Sequence, residues 1–184
     1  SDVIALKRMA ALLMDRNDWK RVREIAQRLV KIPGGEIAGW TLSGIDFHVS
    51  KHAEEAIAAF EHVLEIDPDL EEMPLPRSLF WNHVALELMA VGRTDDARRH
   101  LERELASHDD AGLRELLGVA HEKLGNPEEA ERCWKAALAI DPNNTEAYID
   151  LGRLALAHRR FDEAIPWLER AAELSPEAVD PVYN

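Results

Sequence analysis

Cysteine is almost missing from this chain of 184 residues: Cys133 stands alone, which excludes an internal disulfide and any zinc site built on cysteine. Its place in a helical stretch beside Trp134 reads as a packed thiol. Long apolar runs are missing too. None reaches the ~18 residues of a membrane span, so insertion into a bilayer is not expected. Cations are scarce, with 22 Lys and Arg against 35 Asp and Glu and a net charge of -13. A nucleic-acid partner is therefore not expected, because phosphate binding depends on clustered Lys and Arg. The surplus is uneven: residues 1–36 carry 8 basic and 5 acidic side chains, while residues 37–77 carry 2 and 9. A solvated surface explains that asymmetry more simply than steering of a partner does. There is no Gly-rich phosphate loop, no nucleophile elbow and no cysteine cluster, so no enzyme is expected and no cofactor is implied. No charged-then-apolar leader opens the chain, so secretion is not expected and the cytoplasm is favoured.

What the chain has instead is repetition. The stretch Ala111–Asn144, AGLRELLGVAHEKLGNPEEAERCWKAALAIDPNN, is repeated in pattern by Thr145–Ala178 at a period of 34. Gly118 falls on Gly152, Leu117 on Leu151, Ala130 on Ala164, Ala137 on Ala171, and Asp141-Pro142 on Ser175-Pro176. Each stretch holds two apolar runs at helical spacing, broken once in the middle, as by Gly125-Asn126-Pro127, and once at the end. Each is therefore a helix hairpin. This pattern resembles the tetratricopeptide repeat. The resemblance implies an all-α fold, a right-handed superhelical solenoid of antiparallel helix hairpins.

The same columns extend towards the N-terminus. Trp40, Gly44, Phe47, Ala56, Phe60 and Asp67-Pro68 set a repeat at about 37–70, and a more degenerate one covers about 3–36 with Ala10, Val22 and Ile32-Pro33-Gly34. Residues 71–77 stand outside the register and contain Met73-Pro74-Leu75-Pro76, which no helix can hold, so they form an inserted loop. Trp81, Ala85, Gly92, Ala97 and Leu101 mark a repeat over about 78–110, and residues 179–184 open a sixth. The expectation is one solenoid of five repeats over 1–184, cut within the sixth, with an apolar edge at Leu168, Ala171 and Leu174 open to self-association.

Most conspicuous residues have structural roles in this reading. Ala10, Gly44, Ala85, Gly118 and Gly152 are expected to face Val22, Ala56, Ala97, Ala130 and Ala164 across each hairpin, where small side chains allow close approach. Asn17, Lys51, Gly92, Gly125 and Arg159 are expected to end the first helices in the left-handed conformation. Trp19, Trp40, Trp81, Trp134 and Trp167 read as packing residues. His48 and His52 could clip a metal only within one helix, but Lys51 falls at the turn, and no metal site is expected. Glu104 occupies a column that is Ala in the two later repeats, and it is expected either to find an arginine, Arg114 first, or to stay wet.

Function is expected on the first helices. In the family that these repeats resemble, the first helices form the inner wall, where a partner lies as an extended peptide or a helix. The side chains projecting inward are Ile4, Lys7, Arg8, Ala11 and Met14; then Ala38, Thr41, Leu42, Ile45 and His48; then Leu79, Asn82, His83, Leu86 and Met89. Later repeats add Glu115, Leu116, Val119 and Glu122, then Ile149, Asp150, Arg153 and Leu156. The carboxylate clamp of chaperone-binding members is not reproduced: only Lys7 matches it. The asparagine ladder of the sugar-transferase members is missing as well. The stripe of Ile45, Leu86, Met89 and Val119, with Thr41, His48, Asn82, His83 and Glu122 as polar handles, suits a protein or peptide segment with an apolar face. The function expected is a non-catalytic protein-interaction scaffold. The alternatives are a regulatory or assembly arm of a larger, possibly enzymatic, protein, or a face that merely holds the loop 71–77 of the same chain.

Overall fold

A computed structural model describes residues 2–175. Among them the chain runs through ten α-helices and no strand: α1 (Asp2–Met14), α2 (Trp19–Leu29), α3 (Glu36–Val49), α4 (Ala53–Ile66), α5 (Arg77–Ala90), α6 (Thr94–Leu105), α7 (Ala111–Lys123), α8 (Pro127–Ile140), α9 (Thr145–Ala157) and α10 (Phe161–Leu174). In Ser1–Arg93 α1 packs on α2 and α3 on α4, and in Thr94–Asn184 α7 packs on α8 and α9 on α10, each pair a hairpin. These two compact units, Ser1–Arg93 and Thr94–Asn184, meet in sequence between α5 and α6. The expectations for residues 179–184 lie outside the described residues.

The hairpins turn where the sequence predicts. Asn17, Lys51, Gly92, Gly125 and Arg159 all have positive φ, between 54° and 81°. For Lys51 and Arg159 that conformation costs about 1 kcal/mol each, because a Cβ crowds the following carbonyl. Leu70, at φ 53°, joins them without any sequence signal.

At Gly44, Gly118 and Gly152 the close approach within the hairpin differs from expectation by one helical turn. A Cβ on Gly44 would overlap the ring of Phe60, one on Gly118 the indole of Trp134, and one on Gly152 the side chain of Leu168. The glycines thus make room for the large residue four positions beyond the alanine column. Trp134 is fully buried there, and its indole N–H donates to the Glu115 carbonyl at 3.1 Å. Ala56, Ala130 and Ala164 are buried beside these large residues, so both columns pack, but the glycine answers the bulky one.

In Ser1–Arg93 a buried acid fastens successive hairpins. Asp46, in α3, is 2% exposed and receives two hydrogen bonds from the Arg23 guanidinium of α2, at 2.6 and 3.1 Å. In Thr94–Asn184 Glu104 is also buried, and its carboxylate lies 3.3 Å from His108 Nδ1, one turn further along. Arg114, the arginine expected beside it, pairs with Asp109.

Candidate functional site

Three first helices of Ser1–Arg93 line a hollow. In α1, Lys7, Ala11 and Met14 recur at helical spacing, with Asp15 just past the helix end; α3 presents Ala38, Thr41, Leu42 and Ile45, which are i, i+3, i+4 and i+7 of one face. Leu79 of α5 adds to them. The remaining wall is the insert, through Glu72, Met73, Pro74 and Leu75, and the cavity so enclosed measures about 410 Å³. The insert therefore reaches the face expected to bind and forms one wall of the hollow.

The insert is fastened from below. Asp67 ends α4, and its carboxylate accepts the backbone amides of Glu71 at 3.0 Å and Glu72 at 2.8 Å. Leu70 is buried at 3% exposure, and the Arg77 guanidinium donates to the Asp69 carbonyl. The left-handed turn at Leu70 drives that side chain inward while Asp67 satisfies the amides that follow. Pro76 then precedes α5, where its missing N–H costs nothing.

The residues expected to bind are not all brought together. Thr41 and Ile45 line the cavity. Thr41 is fully buried and its hydroxyl donates to the Ile37 carbonyl at 2.7 Å, so it is no free polar handle. His48 is engaged as well: its Nδ1 lies 2.5 Å from the buried carboxylate of Glu87. The His83 ring packs edge-on to His48, with centroids 4.8 Å apart, and stacks on Phe60. Its Nδ1 is buried with no hydrogen-bond partner among the described residues, and burial, helped by His48, pushes its pKa down. His83 is thus held neutral and packs by its ring, and as a neutral imidazole it keeps one N–H. Met89 is 8% exposed and belongs to the core, whereas Leu86 stays 38% exposed and Asn82 is half-buried.

Thr94–Asn184 treats the same columns differently. Val119 is half-buried against the cluster around Trp134. Glu122 accepts two hydrogen bonds from Arg153 at 2.9 and 2.6 Å, and Arg153 also reaches Asp150 at 3.0 Å. Glu122 is therefore committed within the chain. Glu115, half-buried and hydrogen-bonded to Asp150, has its pKa raised to about 8 by burial and by the charges of Asp150 and Glu146. Burial also raises Asp150, against the pull of Arg153. This face is closed by its own charges.

Two participants escape a reading by columns. Glu87 follows His83 by one turn, a spacing that could have flagged it, and Asp67 was legible only as a helix-ending residue. Of the histidine pair considered for a metal, His48 lies in α3 and His52 beyond its end, before α4.

Family models of the tetratricopeptide repeat match residues 85–131, 115–179 and 50–70. The chain belongs to the tetratricopeptide repeat family. Human tetratricopeptide repeat protein 6 is 30% identical over 60 residues, which are 33% of this chain and 12% of that protein, so the chain matches only a small part of its length. Solved structures of the same fold are far in sequence. The type IV pilus biogenesis factor PilW superposes with a TM-score of 0.81 at 17% identity, covering 95% of this chain and 78% of PilW. MamA from Desulfovibrio magneticus gives 0.79 at 16% identity, covering 96% and 97%. YrrB, a tetratricopeptide protein with an unusual peptide-binding site, gives 0.69 at 18% identity, covering 95% and 87%.

Proposed function

We propose that the chain is a non-catalytic interaction module that holds a segment of a partner protein against the first helices of Ser1–Arg93. The cavity between α1, α3, α5 and the insert carries this reading. Its size falls in the range of binding pockets, roughly 300–1,000 Å³, and most of its lining is apolar with a few charged groups at its rim. Such a site rewards burial of an apolar side chain and uses charge to select what flanks it. The peptide-binding site of YrrB, a protein of the same fold, supports a peptide-like occupant. The apolar face expected of the partner rests on Ala11, Leu42, Ile45 and Leu79 rather than on the wider stripe through Met89 and Val119.

Random peptides displayed and selected on the purified chain test the reading. Ala11 is exposed and lines the cavity, so Ala11→Trp fills the hollow without entering the core. It weakens the selected peptides at least about tenfold, the loss of roughly one good apolar contact. Ala139→Trp, on the exposed side of α8, leaves them unchanged. Selected peptides that bind Ala11→Trp as tightly as the parent overturn the reading.

A further inference from the structure

We infer that the cavity takes an extended partner segment bearing an acidic side chain at one end, an apolar one in the middle and a basic one at the other. This rests on the reading of the cavity as the binding site.

The charges at the rim set the order. Lys7, in α1, and Asp15, just past its end, both line the hollow, eight residues and so about 12 Å apart along the axis. In an extended chain the side chains at n, n+2 and n+4 point the same way and span about 13 Å. A segment lying along α1 therefore sets residue n against Lys7 and residue n+4 against Asp15, while residue n+2 sits over the apolar floor at Ala11 and Leu42. Neither Lys7 nor Asp15 makes an ion pair among the described residues, so both charges are on offer. Glu72, on the insert, adds a second carboxylate to the lining, which makes the basic position of the segment the most strongly selected. The contrast with Arg153 and Glu122, which satisfy each other, is direct.

Three amidated peptides test this by chemical-shift titration of the whole chain: acetyl-Gly-Glu-Ser-Leu-Ser-Lys-Gly, its relative with Glu at both charged positions, and its relative with Lys at both. The mixed peptide binds about fivefold tighter than the doubly acidic one, the size expected for exposed ion pairs, with the doubly basic peptide between them. In Lys7→Glu the preference passes to the doubly basic peptide. Ala11→Trp weakens all three. Equal binding of the three peptides, or an unchanged order in Lys7→Glu, overturns the charge order while a loss in Ala11→Trp leaves the site standing. Binding untouched by Ala11→Trp overturns the site itself, and no measurable binding by any of the three overturns the proposal.

Discussion

In the second repeat the binding-face columns hold Thr41, Leu42, Ile45 and His48, and with α1 and the insert three of them enclose a hollow. The same columns in the fourth repeat hold Glu115 and Glu122, and in the fifth Asp150 and Arg153, which bond to one another. The hairpins beneath are built alike, with a glycine under Phe60 in one case and under Trp134 or Leu168 in the other. The comparison separates two layers of the repeat. The columns between the helices of a hairpin answer to packing and cannot vary independently. The binding-face columns are tied to the core only in part, Leu42 and Val119 among them, and they differ more from repeat to repeat: apolar around the cavity in the second, charged in the fourth and fifth.

Breaking the shared layer has the largest effect. Gly44→Leu and Gly118→Leu drive a branched side chain into Phe60 and Trp134, and each destabilises its own unit by about 3 kcal/mol or more, at the upper end for overpacking. Segment-resolved hydrogen exchange reads this as early opening of the mutated unit. Equal damage in the two confirms a common hairpin design; a mild Gly118→Leu against a severe Gly44→Leu breaks the comparison.

Next comes the fastening particular to Ser1–Arg93. Arg23→Ala leaves Asp46 buried without its guanidinium, at a cost of about 2–3 kcal/mol, because a buried charge that loses its partner is stranded. Chemical denaturation checks it, and a loss below about 0.5 kcal/mol would mean that water replaces the arginine.

The smallest effect is the most discriminating, because the two units respond to pH with opposite signs. Glu115 keeps its proton in the folded state up to about pH 8, but loses it near 4.5 when unfolded. Its contribution is complete below 4.5 and fades as pH rises through 8, so Thr94–Asn184 loses stability over that window. His83 is held neutral below its ordinary value of 6.5. Its contribution is present above 6.5 and is lost as pH falls below it, so Ser1–Arg93 weakens in acid. Exchange protection followed from pH 5 to 9 sharpens the contrast, and Glu115→Gln flattens the slope of the second unit alone. Parallel slopes in the two units would sink this account.

The fold was legible because periodicity is a property of one residue type per column, and a 34-residue repeat states it several times. Gly118 on Gly152 was enough to pair the hairpins, and even Lys51 and Arg159 were recognisable as turns from the columns they occupy. The site was half legible. Lys7, Ala11, Ala38, Leu42 and Leu79 share a face by spacing alone, and the cavity gathers them. What escaped is partnership. Thr41 looked like a free hydroxyl until its own helix claimed it, and His48 looked like a donor until Glu87, 39 positions away, took it. Asp46 sits in mid-helix with no column precedent, so its union with Arg23 had no signal at all. Glu104 was legible as a misfit, but the histidine one turn on, which its carboxylate approaches, was not.

The fastenings of the insert all lie at its margins. Asp67 and Leu70 hold the near end, and Arg77 ties the far end back to Asp69. Met73, Pro74 and Leu75, which face the hollow, carry none of these duties. The tip can therefore be exchanged, lengthened or recoded while the hairpins on either side inherit their fold unchanged. In this arrangement selection can retune what is recognised without putting folding at risk, and a designer can graft a new wall by rewriting three residues.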